Sequence, residues 1–168
     1  MHINNGGAVT IAILLPNLLW VLFRPRSKQA DETKPSKPPN QVMQIFERVG
    51  QFGCFILTFF YNLRFQTAAD FVFSIILLAA LAVYYVCWIR YFLKYRRQVW
   101  MYRNLGPLPL PLSICPVICF LSASIVFHSI PLASATVILG IGHIYMGITE
   151  REQAEQLYST DEAAYRLN

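Results

Sequence analysis

Five apolar runs, separated by short polar stretches, dominate the pattern along the chain. They cover about residues 8–23, 43–61, 69–92, 110–127 and 132–149, each near the roughly 20 residues with which an α-helix crosses a bilayer. The pattern predicts an all-α fold: one polytopic membrane domain over residues 1–168, with five transmembrane helices. Residues 24–42 read as a charged, Pro-rich linker, with Pro25, Pro35, Pro38 and Pro39, and 150–168 as a polar tail. The second run is the most polar, because Glu47 and Arg48 lie near its start. Were it to rest in the interface, four spans would remain and the basic stretch 90–103 would face outside. Five spans is therefore the preferred count.

At the 100° per residue of a helix, the second run divides cleanly. Glu47, Gly50, Gln51, Cys54, Thr58, Tyr61 and Asn62 share one side; Ile45, Val49, Phe52, Ile56, Phe59 and Phe60 share the other. In lipid, the small and polar side belongs against protein and the apolar side against acyl chains. The fifth run repeats the arrangement with Thr136, Gly140, His143, Gly147 and Glu150. In the third, Asp70, Ser74, Tyr84, Tyr85, Trp88 and Tyr91 share a face, and the tyrosines read as interfacial anchors. Gly50, Cys54, Gly140 and Gly147 are the predicted helix-packing positions. The last two runs, joined by a short turn at Pro131, predict an antiparallel hairpin.

Composition fits this reading: of 168 residues, 55% are apolar and 14% charged, which leaves no room for a folded catalytic domain outside the membrane. The net charge of +5 would suit nucleic acid, but all except two of the 14 Lys and Arg residues cluster after the first run, around 90–103 and in the tail. Alternation with segments almost free of positive charge is the positive-inside pattern. It predicts an outside amino terminus, a cytosolic linker and tail, and no nucleic-acid partner. No Lys or Arg precedes the first run and no small-residue cleavage pattern follows it, so it reads as a retained span.

Candidate chemistry is sparse. Cys54, Cys87, Cys115 and Cys119 all fall inside apolar runs, where thiols are usually inert. Cys115 and Cys119 are one turn apart, but no Cys or His accompanies them at ligand spacing, so neither disulfide, metal nor cofactor is expected. Counted from the cytosolic ends, Asn17, Glu47, Trp88 and His143 occupy one thin layer. Pro16 leaves a backbone carbonyl without its usual donor, which Asn17 could serve. A carboxylate one turn inside the membrane needs water, a proton or a cation; for Glu47 the preferred partner is His143, if the second and fifth helices are neighbours. The candidate binding residues are Asn17, Glu47, Arg48, Trp88, Arg90 and His143, with Glu47 as counter-charge, Arg48 and Arg90 for anionic groups, and His143 as the proton-responsive member.

The combination Pro16-Asn17-Leu18-Leu19, Glu47-Arg48-Val49-Gly50, Trp88-Ile89-Arg90-Tyr91-Phe92 and Gly140-Ile141-Gly142-His143-Ile144 resembles a group of short, uncharacterised bacterial multi-pass membrane proteins. The resemblance implies no activity, and the expected location is the plasma (bacterial inner) membrane. The tail from Glu150-Arg151-Glu152 through Glu155 to Tyr165-Arg166 is similar to that of integral-membrane isoprenylcysteine-type methyltransferases, although no histidine here is followed by proline, so their Arg-His-Pro-x-Tyr element is missing. The leading expectation is a small integral membrane protein whose cytosol-facing polar cluster binds or passes a small solute or a lipid headgroup, acting as a homodimer or with a partner membrane subunit. The alternatives are an intramembrane enzyme acting on a lipid and an accessory subunit of a larger membrane complex.

Overall fold

The computed structural model describes residues 5–23, 40–62, 65–94, 99–102 and 104–166. Its elements are all helical: α1 (Asn5–Leu22), α2 (Gln41–Phe60), α3 (Ala68–Leu93), α4 (Val99–Tyr102), α5 (Pro111–Val126) and α6 (Ile130–Arg166). The five long helices correspond to the five apolar runs. Most of the linker, 24–39, lies outside the described residues, and α2 begins at its end, where the Asn40 side chain accepts from Val42 N.

Three helices are long and apolar enough to cross a membrane, Asn5–Leu22, Ala68–Leu93 and Ile130–Gln156, where the sequence pattern predicts five. Two different causes remove the others. Glu47, Arg48 and the glutamines at 41, 44 and 51 dilute α2, whereas α5 has only 16 residues, about 24 Å of helix. The tail also departs from expectation: α6 continues without a break to Arg166 over 37 residues, about 55 Å, so 150–166 extends the last helix.

Three helix pairs run antiparallel, as the register of their contacts requires. Gly6 N donates to Tyr61 O at 3.2 Å, joining the start of α1 to the end of α2. Cys54 Sγ lies 3.6 Å from Thr136 Oγ1 while Glu47 meets His143, so α2 and α6 are antiparallel. Cys119 Sγ donates to Leu77 O at 3.7 Å, and Asp70 approaches His128, which orders α3 and α5 likewise. The core joins Ile13, Cys54, Leu77, Phe120, Leu132 and Leu139 from all five long helices.

The α2 face is inverted relative to that of a soluble protein. Gly50, Cys54 and Thr58 are buried, while Ile45, Val49, Phe52, Ile56, Phe59 and Phe60 are exposed, as the stripe predicts. Close approach to α6 depends on glycine. A Cβ on Gly50 would meet the Leu139 backbone and come within 2.7 Å of its Cβ; one on Gly142 would lie 2.8 Å from Glu47 Cα and from Met43 O. Gly140 and Gly147 instead face α5, against Val117 and Ser113. Gly142 is thus the α6 glycine that lets α2 approach.

Pro16 lacks the N–H that Ala12 O would accept, and Tyr85 replaces it: its hydroxyl donates to Ala12 O at 2.8 Å, and the Tyr84 hydroxyl to Ile13 O at 3.4 Å. Asn17 is not the partner of the freed carbonyl. The two tyrosines pin α1 to α3, and Tyr84 and Tyr91 are buried rather than placed as interfacial anchors.

Candidate functional site

The site is built where α2 and α6 touch. On α2, Glu47 is one turn before Gly50; on α6, His143 follows Gly142, so the backbone contacts that bring the helices together also bring these two side chains together. Glu47 Oε1 and His143 Nδ1 are 2.6 Å apart, with side chains 20% and 23% exposed. At this distance the two atoms are hydrogen-bonded, with the donor set by the imidazole tautomer.

Two further residues complete the surroundings, and neither is among the sequence candidates for binding. Glu150, seven residues beyond His143 and on the same face of α6, lies within electrostatic reach of both Glu47 and His143. The Tyr102 hydroxyl, on the one-turn helix α4, donates to Glu150 Oε2 at 2.6 Å. Glu150 was visible as the end of the polar stripe on the fifth run. Tyr102 carries no periodic signal, because it belongs to a helix of four residues.

The remaining candidates are not gathered here. Arg48 is exposed beside Glu47, turned away by the 100° step of the helix. Asn17 is exposed, with its amide toward the Tyr84 hydroxyl. Trp88 belongs to an aromatic cluster with Trp20, Tyr84, Tyr91 and Phe92 between α1, α3 and α5. Arg90 donates from Nη1 to Asn104 O at 3.0 Å, and Arg151 Nη1 donates to Asn104 Oδ1 at 2.9 Å, so Asn104 bridges α3 and α6. The predicted layer thus separates into a carboxylate–imidazole pair on α2 and α6 and an aromatic cluster on α3. The separation has a simple cause: equal depth does not bring side chains together when α5 lies between their helices.

Of the helix-packing positions, Gly50, Cys54, Gly140 and Gly147 are all buried. Among the described residues, no three His, Cys, Asp or Glu side chains converge to hold a metal ion. Chemically, the arrangement can hold or exchange a proton and attract a cation. No family model, curated protein or solved structure matches this chain.

Proposed function

We propose that the chain is a five-pass membrane protein whose Glu47–His143 site binds the cationic group of a small solute or a lipid headgroup. The observation that carries the reading is the 2.6 Å contact between Glu47 and His143 with Glu150 close by. Two carboxyl groups around one imidazole favour cations over anions, and the separation of Arg48 and Arg90 from the site removes the reason to assign it an anion. Binding at the mouth is favoured over passage between these helices, because the α2 and α6 backbones touch at Gly50 and Gly142.

Five passes are supported by the alternating direction of the long helices and by the apolar exterior of α2, whose polar residues lower its average while its outward face suits lipid. The residues Arg90, Lys94 and Arg151 at the Glu47 end favour the cytosol of a bacterial plasma membrane for that end.

The test uses the purified chain in nanodiscs of phosphatidylglycerol, whose headgroup carries no cation, with free ethanolamine added, or with phosphatidylethanolamine in place of part of the lipid. A cation bound at ten times its Kd stabilises by about 1.4 kcal/mol. Stabilisation by the free amine assigns a solute, stabilisation by the lipid alone assigns a headgroup, and either must be lost in Glu47→Gln. Equal thermal stability under all three conditions overturns the reading.

A further inference from the structure

The opposite end of the bundle carries a second carboxylate–imidazole contact that the Glu47 site does not use. Asp70 is fully buried, a rare place for an aspartate without partners. Its Oδ2 accepts from Gln66 N at 2.8 Å and Thr67 N at 2.7 Å, and Thr67 Oγ1 accepts from Asp70 N at 3.4 Å. This is a capping box at the start of α3, and it accounts for Oδ2 alone. Oδ1 has no hydrogen-bond donor in good geometry among the described residues, yet Nε2 of His128 lies 3.4 Å from it.

His128 belongs to the turn between α5 and α6, with its side chain 44% exposed and its backbone in the left-handed region at φ 49°. That conformation is uncommon for a residue with a side chain, and His tolerates it better than most. The next residue, Ser129, caps α6 by accepting from Leu132 N at 3.3 Å. The turn is therefore held on the α6 side by a cap and faces α3 through the imidazole.

We propose that Asp70 and His128 form a proton-operated latch, which ties the start of α3 to the α5–α6 turn when the imidazole is protonated and loosens when it is neutral. Among the described residues, the other polar groups near this point are uncharged. They are Thr67 and Ser74 from the α3 side, Ser124 of α5, whose hydroxyl donates to Leu121 O, Ser129 of the turn, and Tyr61 at the end of α2, whose ring stacks on that of Phe127 with centroids 6.2 Å apart. The first turn of α6 carries no acid. Among the described residues, His128 is the charge that acts on Asp70. A neutral imidazole offers Nε2 as donor or acceptor according to tautomer; a protonated one always presents a positive N–H to the carboxylate. The latch therefore contributes stability where the imidazole carries its proton and loses it as pH rises and that proton leaves. Because α1 is tied to Tyr61 through Gly6 N, and Tyr61 to Phe127 beside the latch, four helices and the turn meet where it acts.

The full chain in detergent micelles, unfolded by heat at pH 5.5 and pH 8, tests this. His128→Asn removes the charge and keeps a side chain at ease with left-handed backbone; His128→Lys keeps a charge at both pH values. Acidification should raise the wild-type Tm by about 2–4 °C more than that of either variant, and His143, present in all three, cancels in the comparison. Hydrogen exchange of wild-type amides 127–133, corrected for intrinsic rates, should slow at the lower pH and does not depend on any variant folding. The same pH response in wild type and His128→Asn, or unchanged protection of the turn, overturns the latch while leaving the Glu47 site untouched.

Discussion

Replacing Gly142 by alanine is the most direct perturbation of the structure. The added Cβ would lie 2.8 Å from Glu47 Cα and from Met43 O, well inside an ordinary van der Waals contact, and both are backbone atoms that no rotamer change can move aside. The helices must part by several tenths of an ångström or more. Overpacking of this kind costs about 1–3 kcal/mol, or roughly 2–12 °C in Tm for a chain of this size. The same movement displaces Glu47, whose carboxylate is bonded to the residue next to the mutation, so the 2.6 Å contact should lengthen as well. Ile141→Ala is the control: it changes the neighbouring residue, but Ile141 is exposed, and removing a lipid-facing side chain leaves the interface unchanged. Thermal unfolding followed by tryptophan fluorescence compares the two. Equal losses for Gly142→Ala and Ile141→Ala would show that α2 and α6 do not meet at Gly142, and would take the support from the Glu47 site.

Three further outcomes follow from named contacts. Tyr85→Phe leaves Ala12 O without its donor and should cost about 1–2 kcal/mol; Pro16→Ala restores the missing backbone N–H, so the double variant should recover most of the loss, and a strictly additive result in thermal unfolding would refute the pairing. A double-mutant cycle on Glu47→Gln and His143→Ala should give a coupling of about 1 kcal/mol, in the range measured for polar pairs between membrane helices; no coupling would mean that the two side chains do not interact. For the five-pass arrangement, in a Cys-free background, a cysteine at Ser36 should label only in permeabilised cells and one at Gln66 in intact cells; the reverse pattern would invert the topology.

What the sequence made legible was periodicity, and what it hid was lateral placement. The buried Gly50, Cys54 and Thr58 and the exposed Val49, Phe52 and Ile56 follow from one angular rule, because a helix in lipid has no way to hide a polar stripe except against protein. The Glu47–His143 pair followed from the same rule plus depth. Depth alone did not place Trp88 or Asn17, since a one-dimensional count tells neither which helices are neighbours nor which way a side chain turns: α5 stands between Trp88 and the pair, and Asn17, although α1 adjoins α2, turns toward Tyr84 on α3. The freed carbonyl at Ala12 was foreseeable from Pro16, but its partner came from the face of α3 assigned to the interface. Gly142 was passed over because the stripe was drawn through Gly140 and Gly147, which serve the α5 contact. The three glycines along α6, at 140, 142 and 147, serve two interfaces, and only three dimensions separate them.

On the proposed five-pass reading, the packing of α2 accounts for its polarity. Between apolar helices in lipid, burying another leucine gains little, because acyl chains solvate it as well as protein does, so association relies on close backbone approach and polar contacts. The α2–α6 interface has both in register: the glycine contacts at Gly50 and Gly142, the Cys54–Thr136 contact at 3.6 Å and the Glu47–His143 pair. Each polar contact lies within about one turn of a glycine, where the backbones are closest and water is most easily excluded. This couples the pair to the packing in both directions. Tighter approach strengthens the hydrogen bond, and a ligand that draws Glu47 from His143 must also work against the glycine contacts, so binding at the site should be felt along the whole of α2.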